Sequence, residues 1–289
     1  MRNSGKTLAR CLNSVKGLVN EIILVDTGSV DNSLDIAHLY GAKIVKDPWQ
    51  DDFARPRNIG LKLATCQWIL IMDPDETISR EDHIRLKQLT QQQHYNAFLL
   101  TTFNYSGVSR NSKYVHLKGK LCPLGKFPGY TPSTKTRFFR NGLGIRFEGC
   151  WHELVDWYIL RNKLGLARSP IPIHHWSHEI EQASWKEKKA FYLKMGEKKV
   201  KEWPTSGKAH WELSRPELSF GYYERGKNSI ERAIKYGFAG SEQFFALAQT
   251  YRLLNNKKKA DFIFEKATCK LFPNLTHIDP TKKPLETIF

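Results

Sequence analysis

Over its first 103 residues the chain alternates short apolar runs with amphipathic segments, and two of those runs end in an acid followed by turn residues. Glu21-Ile22-Ile23-Leu24-Val25-Asp26 has the unbroken hydrophobicity of a strand buried on both faces, and Gly28 and Ser29 then turn the chain. Ser33 to Tyr40 reads as a helix that Asp31 or Asn32 can cap, and Ala42 to Val45 as a second strand. Arg57 to Ala64 is expected as a helix, and Gln67 to Met72 as a third strand running into Asp73-Pro74-Asp75. At the start, Thr7 to Val15 puts Leu8, Cys11, Leu12 and Val15 on one helical face. Past the third strand, a helix from about Arg80 to Gln92 precedes a strand from Ala97 to Phe103. Strands separated by helices pair in parallel, so an α/β fold is predicted, with a mostly parallel sheet covered on both faces.

From residue 104 to 150 glycines and prolines loosen the pattern. Two strand candidates emerge there, Lys135 to Arg140 and Ile145 to Glu148. A third, Pro170 to His174, leads into His174, His175 and His178. After Glu181 strand signals cease, and helices are expected, broken at Pro204, Gly207, Pro216, Gly237 and Gly240. The predicted domains are therefore 1–180 and 181–289, with the boundary near Ile180. In the second, Phe244, Leu247, Ala248, Tyr251, Ala260, Phe264 and Ala267 follow the offsets of a tetratricopeptide unit, with Pro273 near its closing position. A weaker unit from about Lys208 to Gly237 has Ile230 and Ala233 in register. An all-α helical-repeat tail of this kind is a candidate surface for a protein partner.

Several classes are excluded by what is missing. No apolar run approaches the roughly 18 to 20 residues of a membrane span, and Met1-Arg2-Asn3-Ser4-Gly5-Lys6 lacks the apolar stretch of a secretory signal. The five cysteines are scattered and never spaced CxxC, which argues against a disulfide framework or a cysteine zinc site. A cytoplasmic protein is expected. The formal charge of +16 predicts attraction to phosphorylated ligands or to an anionic membrane face, hence a peripheral location at the inner side of the membrane. Solvated helix faces account for part of that charge. Without zinc-finger spacing, an RNP-like aromatic motif or a basic zipper, no specific nucleic acid is expected.

In an open parallel sheet, ligands bind beyond the carboxyl ends of the strands, where Asp26, Asp73 and Asp75 fall. Two carboxylates one residue apart can converge on a hard cation such as Mg²⁺ or Mn²⁺. Asp-Pro-Asp-Glu is also good turn chemistry, and the residues alone leave both readings open.

These segments do not stand singly. Val25-Asp26-Thr27-Gly28-Ser29-Val30-Asp31, Tyr40-Gly41-Ala42-Lys43, Trp49 through Asn58, and Trp68 through Glu76 follow in order. So do Thr136-Arg137-Phe138-Phe139-Arg140-Asn141, Ile145 through Gly149, His152-Glu153, and Ile173-His174-His175-Trp176. Together they resemble the family 2 glycosyltransferases of the GT-A fold, a Rossmann-like α/β architecture, and most closely the subgroup with tetratricopeptide units behind the transferase domain. The resemblance spans about residues 3 to 178. It implies that Asp26 accepts from the nucleotide base, that Asp31 steadies its loop, and that Arg57 and Asn58 line the donor site. Asp73 would face the ribose or a metal-bound water, and Asp75 would bind the Mn²⁺ or Mg²⁺ that bridges the diphosphate. His175 would be a further metal ligand, although nothing in the sequence ranks it above His174 or His178.

The activity implied is inverting transfer of a hexose or N-acetylhexosamine from a UDP-sugar to a glycan, lipid-linked or polypeptide acceptor. The catalytic base would be Glu153, with Glu148 the second choice; Glu148 is equally suited to pairing with Arg146 or Arg140. One departure stands out. The resemblance calls for a buried strand ahead of Arg2-Asn3-Ser4, and the sequence has none. The expectation is either a misplaced start or a non-catalytic remnant whose helical tail binds a protein.

Overall fold

The computed structural model describes residues 1–107, 113–117, 127–176 and 185–271, with side chains from 189 to 267 in the last stretch. His178, Ile180 and Pro273 lie outside the described residues. The chain divides into two compact units, Met1–Glu181 and Gln182–Glu286.

The first unit opens with α1 (Gly5–Val15), β1 (Ile23–Asp26), α2 (Ser33–Leu39), β2 (Lys43–Lys46), α3 (Ala54–Leu63) and β3 (Trp68–Leu70). Leu8, Cys11, Leu12 and Val15 of α1 are buried, with Leu8 and Leu12 packed on Leu24 and Ala37. Here the helical spacing of the sequence becomes a layer over β1. At Gly60, α3 lies beside β1: a methyl group there would sit in ordinary contact with Val25 and Ile23. β1 and β2 form a two-stranded parallel ribbon joined through α2. Beside it, the Met1 amino group donates to Val25 O and Met1 O accepts from Thr27 N.

Next come β4 (Glu76–Thr77), α4 (Asp82–Leu89), β5 (Ala97–Ser106), β6 (Val115–His116), β7 (Gly129–Arg140), α5 (Asp156–Arg161) and β8 (Leu166–His175). The second sheet runs β3-β7-β5-β8-β4, with β6 on β7. It is mixed rather than mostly parallel: β5 and β8 run parallel, whereas β7 runs antiparallel to both β3 and β5. The reason is connectivity. Parallel neighbours need a crossover, which α2 supplies for β1 and β2. Two cores sandwich this sheet. Ala97 and Phe139 pack with Ile159 and Val155 of the α5 segment, while Phe98, Leu100, Phe138 and Ile171 of the sheet pack with Leu86 of α4.

The expected strand at Ile145 to Glu148 reduces to a single bridge between Glu148 and Leu154. A side chain takes the place of a partner strand, because Asn58 accepts from Phe147 N (2.8 Å) and donates to Phe147 O (3.0 Å).

The second unit is helical: α6 (Trp185–Glu202), α7 (Gly207–Ser219), α8 (Tyr223–Lys235), α9 (Ser241–Leu253) and α10 (Lys257–Leu271). Trp211, Ile230, Ala233, Leu247, Ala248, Tyr251 and Ala260 share one core, against which Phe244 and Phe264 pack. Residues of both tetratricopeptide-like units thus meet in one hydrophobic cluster, with Ala267 buried outside it. Pro216 lies inside α7 instead of ending it. The missing N–H costs a hydrogen bond, but burial of Trp211, Leu213 and Pro216 along the same helix outweighs it. Among the described residues, no helix is long and apolar enough to cross a membrane.

Candidate active site

The turn after β3 brings its three acids to different partners. Glu76 N donates to Asp73 O, and the Glu76 carboxylate accepts in return from Asp73 N at 2.7 Å. This locks the turn, with Glu76 buried on β4 and Asp75 left at the tip. Arg137 of β7 then reaches Glu76 at 2.8 Å and Asp73 at 3.2 Å. Arg57 of α3 binds the other Asp73 oxygen at 2.7 Å and Glu153 at 2.6 Å, with its guanidinium over the Phe147 ring. The result is a chain of alternating charge: Glu153, Arg57, Asp73, Arg137, Glu76.

Its electrostatics follow from burial and neighbours. Burial opposes ionisation of Asp73, but the charges of Arg57 and then Arg137 prevail and hold it well below the usual carboxylate range. Glu76 goes the other way, with burial first and the Asp73 charge second raising it to about 7. Lys135, two residues before Arg137, has its pKa lowered by surrounding protein and then by the Arg137 charge.

Asp75 meets His175 across the ends of the strands, with Oδ2 and Nε2 3.2 Å apart. The Asn104 amide of β5 donates to Thr131 O and Ser133 Oγ, which leaves its Oδ1 to accept from His175 Nδ1–H at 2.7 Å. With its proton on Nδ1, a neutral His175 directs the Nε2 lone pair at a carboxylate oxygen. Such an arrangement is favourable only with a cation between them, either a proton or a metal ion. Burial works against protonation of His175, but the Asp75 hydrogen bond and charge overcome it and raise its pKa.

The separation also suits Mg²⁺ or Mn²⁺, since neighbouring ligands of an octahedral ion with bonds of about 2.1 Å lie about 3 Å apart. A ring nitrogen tied to a second hydrogen-bond partner is the usual support of a metal-binding histidine. Among the described residues, no three His, Cys, Asp or Glu side chains converge as a metal cluster. Asp75 and His175 would therefore share the ion with ligand oxygens.

His174 turns to the opposite face, as alternation along a strand requires. Its Nδ1 meets the Tyr105 hydroxyl at 2.8 Å, and its ring stacks on Tyr105 and Trp176.

The remaining expected residues are held by local structure. Asp26 is buried at the end of β1 and accepts from Gly28 N and Ser29 N. Asp31 accepts from Gly5 N and Ser33 N, tying the starts of α1 and α2 together. Asn58 straps the Phe147 segment as described. Glu148 pairs with Arg161 and, at 3.6 Å, with Arg146, away from the acid turn. Of the two glutamates, only Glu153 joins the chain around Asp73. Its Oε1 faces Arg57, while Oε2 has no hydrogen bond among the described residues. An open cavity there is lined by Arg57, Lys135, Arg137, Phe147, Glu153 and Leu154, among others.

Glu76, Asn104, Lys135 and Arg137 are the site residues that sequence reasoning missed. Lys135 and Arg137, two apart just before Phe138-Phe139, carried the only signal: charge inside a strand that packs into a core.

The sequence model for glycosyl transferase family 2 matches residues 1–154. A TPR repeat-containing protein of Synechococcus elongatus is 35% identical over 156 residues, covering 54% of this chain and 34% of that protein. The prophage-derived glycosyltransferase SunS of Bacillus subtilis is 29% identical over 153 residues, covering 52% of this chain and 32% of SunS. This chain thus spans about a third of the length of these curated relatives. Among solved structures, S. aureus TarS 1–349 in complex with UDP-GlcNAc aligns over 96% of this chain and 92% of that one, with 15% identity and a TM-score of 0.49.

Proposed function

The chain belongs to glycosyl transferase family 2, and from that premise we propose that it moves a hexose or N-acetylhexosamine from a UDP-sugar to an acceptor hydroxyl with inversion. The acceptor oxygen bonds to the anomeric carbon. The bond from that carbon to the diphosphate breaks, and its electrons leave on UDP. Glu153 Oε2 takes the acceptor proton, a contribution of about 10²–10⁴-fold.

Arg57 holds Glu153 Oε1 at 2.6 Å and so fixes the carboxylate in the wall of the cavity. Asp73, gripped by two arginines, acts as the positioning residue that joins the base to the buried Arg137–Glu76 pair. Asp75 and His175 would hold Mn²⁺ or Mg²⁺, whose chemistry is to neutralise charge on the leaving diphosphate. The observation that best supports this reading is the unbroken ion-pair chain from Glu153 to the acid turn, across some 80 residues of sequence.

The test is a screen of UDP-sugars with Mn²⁺, reading UDP release, together with calorimetry of UDP binding. Asp75→Ala should abolish metal-dependent release. Equal release by that variant removes the metal assignment, and no UDP binding by the wild type removes the transferase reading.

A further inference from the structure

Three cations face the cavity beside Glu153, and two of them already have partners. Arg57 is bound to Asp73 and Glu153, and Arg137 to Asp73 and Glu76. Lys135 lines the same cavity and makes no ion pair or hydrogen bond among the described residues. Its side chain reaches solvent. Asp73, Glu153 and Glu76 act on this ammonium only through space, and an ammonium at a cavity wall with no direct ion pair is suited to an oxyanion brought in by a ligand, because lysine binds such groups as a point charge.

The sequence around it favours the same chemistry. Between Asp82 and Glu148 there is no Asp or Glu, while Lys and Arg recur, among them Lys113, Lys135, Arg140 and Arg146. The flanking strands β5, β6 and β7 therefore contribute no carboxylate that would repel an anion. Lys135 also lies on the side of the base: the cavity it lines contains Glu153, whereas the Asp75–His175 pair is absent from its walls.

We propose that the acceptor carries a phosphate close to its reacting hydroxyl, and that Lys135 recognises this group beside Glu153. The proposal rests on the transferase reading for the word acceptor, but not for the anion site itself.

Calorimetry of the whole chain, with and without UDP and Mn²⁺, tests it, using glucose 6-phosphate and glucose as probes. Glucose 6-phosphate should bind in both conditions and glucose far more weakly. Lys135→Gln should lower glucose 6-phosphate affinity about tenfold, the range expected when one charged hydrogen bond is lost. Lys135→Arg should keep most of that affinity, and both variants should bind UDP as the wild type does. Equal binding of the two probes overturns the proposal, as does undiminished phosphate binding by Lys135→Gln. Displacement of glucose 6-phosphate by UDP, or loss of UDP affinity in Lys135→Gln, also overturns it by giving the lysine to the donor's diphosphate. Phosphate binding through Lys135 in a chain that binds no UDP leaves the anion site standing and removes only the transferase reading.

Discussion

At the scale of single residues, the site is a set of carboxylates made unlike by their neighbours. Asp73, Asp75 and Glu76 fall within one turn of the sequence, yet one is held by two arginines, one faces a histidine and one is buried with its pKa raised to about 7. Glu153→Gln keeps the shape of the side chain proposed as base and removes its proton affinity. Turnover should fall about 10²–10⁴-fold with UDP affinity unchanged, as measured by steady-state kinetics beside calorimetry. Asp73→Asn leaves Arg57 and Arg137 facing a neutral amide, and should lower unfolding stability by about 1–3 kcal/mol in a denaturant titration. His175 sets a pH dependence whose sign is fixed by its raised pKa. In the metal-free chain, the imidazolium–Asp75 pair stabilises the fold fully below pH 6.5, the ordinary histidine value, and the contribution fades as pH climbs through the raised folded value. Mn²⁺ requires a bare Nε2, so its affinity should rise over that same interval. Mn²⁺ titrations at stepped pH check this, and a pH-independent affinity would take His175 out of the metal set.

At the scale of elements, close approach is what the small residues permit. Gly207 opens α7 against α8, where an added Cβ would come within 2.6 Å of Ala233 O and 2.7 Å of Phe238 Cβ. Backbone oxygen cannot swing aside, so Gly207→Ala should destabilise the helical unit by about 1–3 kcal/mol, seen as an earlier thermal transition. The proline inside α7 does not break the helix as the sequence led one to expect, since burial governs that position, whereas Gly207 stands where the helical run resumes after the expected break behind α6. In the sheet, β7 shows the converse. Its end from Lys135 to Arg140 was legible as strand, but Gly129 to Thr134 becomes one only because ten residues of β5 run alongside β7.

At the scale of the whole molecule, charge and ligand linkage make the predictions. A formal charge of +16 predicts retention on anionic vesicles that weakens as the screening length shrinks from about 10 Å in 0.1 M salt to about 3 Å in 1 M. Co-sedimentation across that range checks it, and binding that ignores salt would count against an electrostatic membrane contact. The alternation of strand, acid and helix was readable from residues alone, because hydrophobic periodicity and turn chemistry act within a few residues of the chain. So was the helical tail, whose aromatic and small residues recur at fixed offsets. The acid turn, Glu153 and the pair of Asp75 with His175 were likewise visible as candidates. Which acid meets a histidine and which meets an arginine was decided by tertiary structure, since Arg57, Asp73, Arg137 and Glu153 come together from α3, a turn, β7 and a loop. Likewise, only pairing between distant segments made the second sheet mixed and turned Glu148 outward to Arg161. Contacts of that range depend on how the chain closes on itself, and no local pattern encodes them.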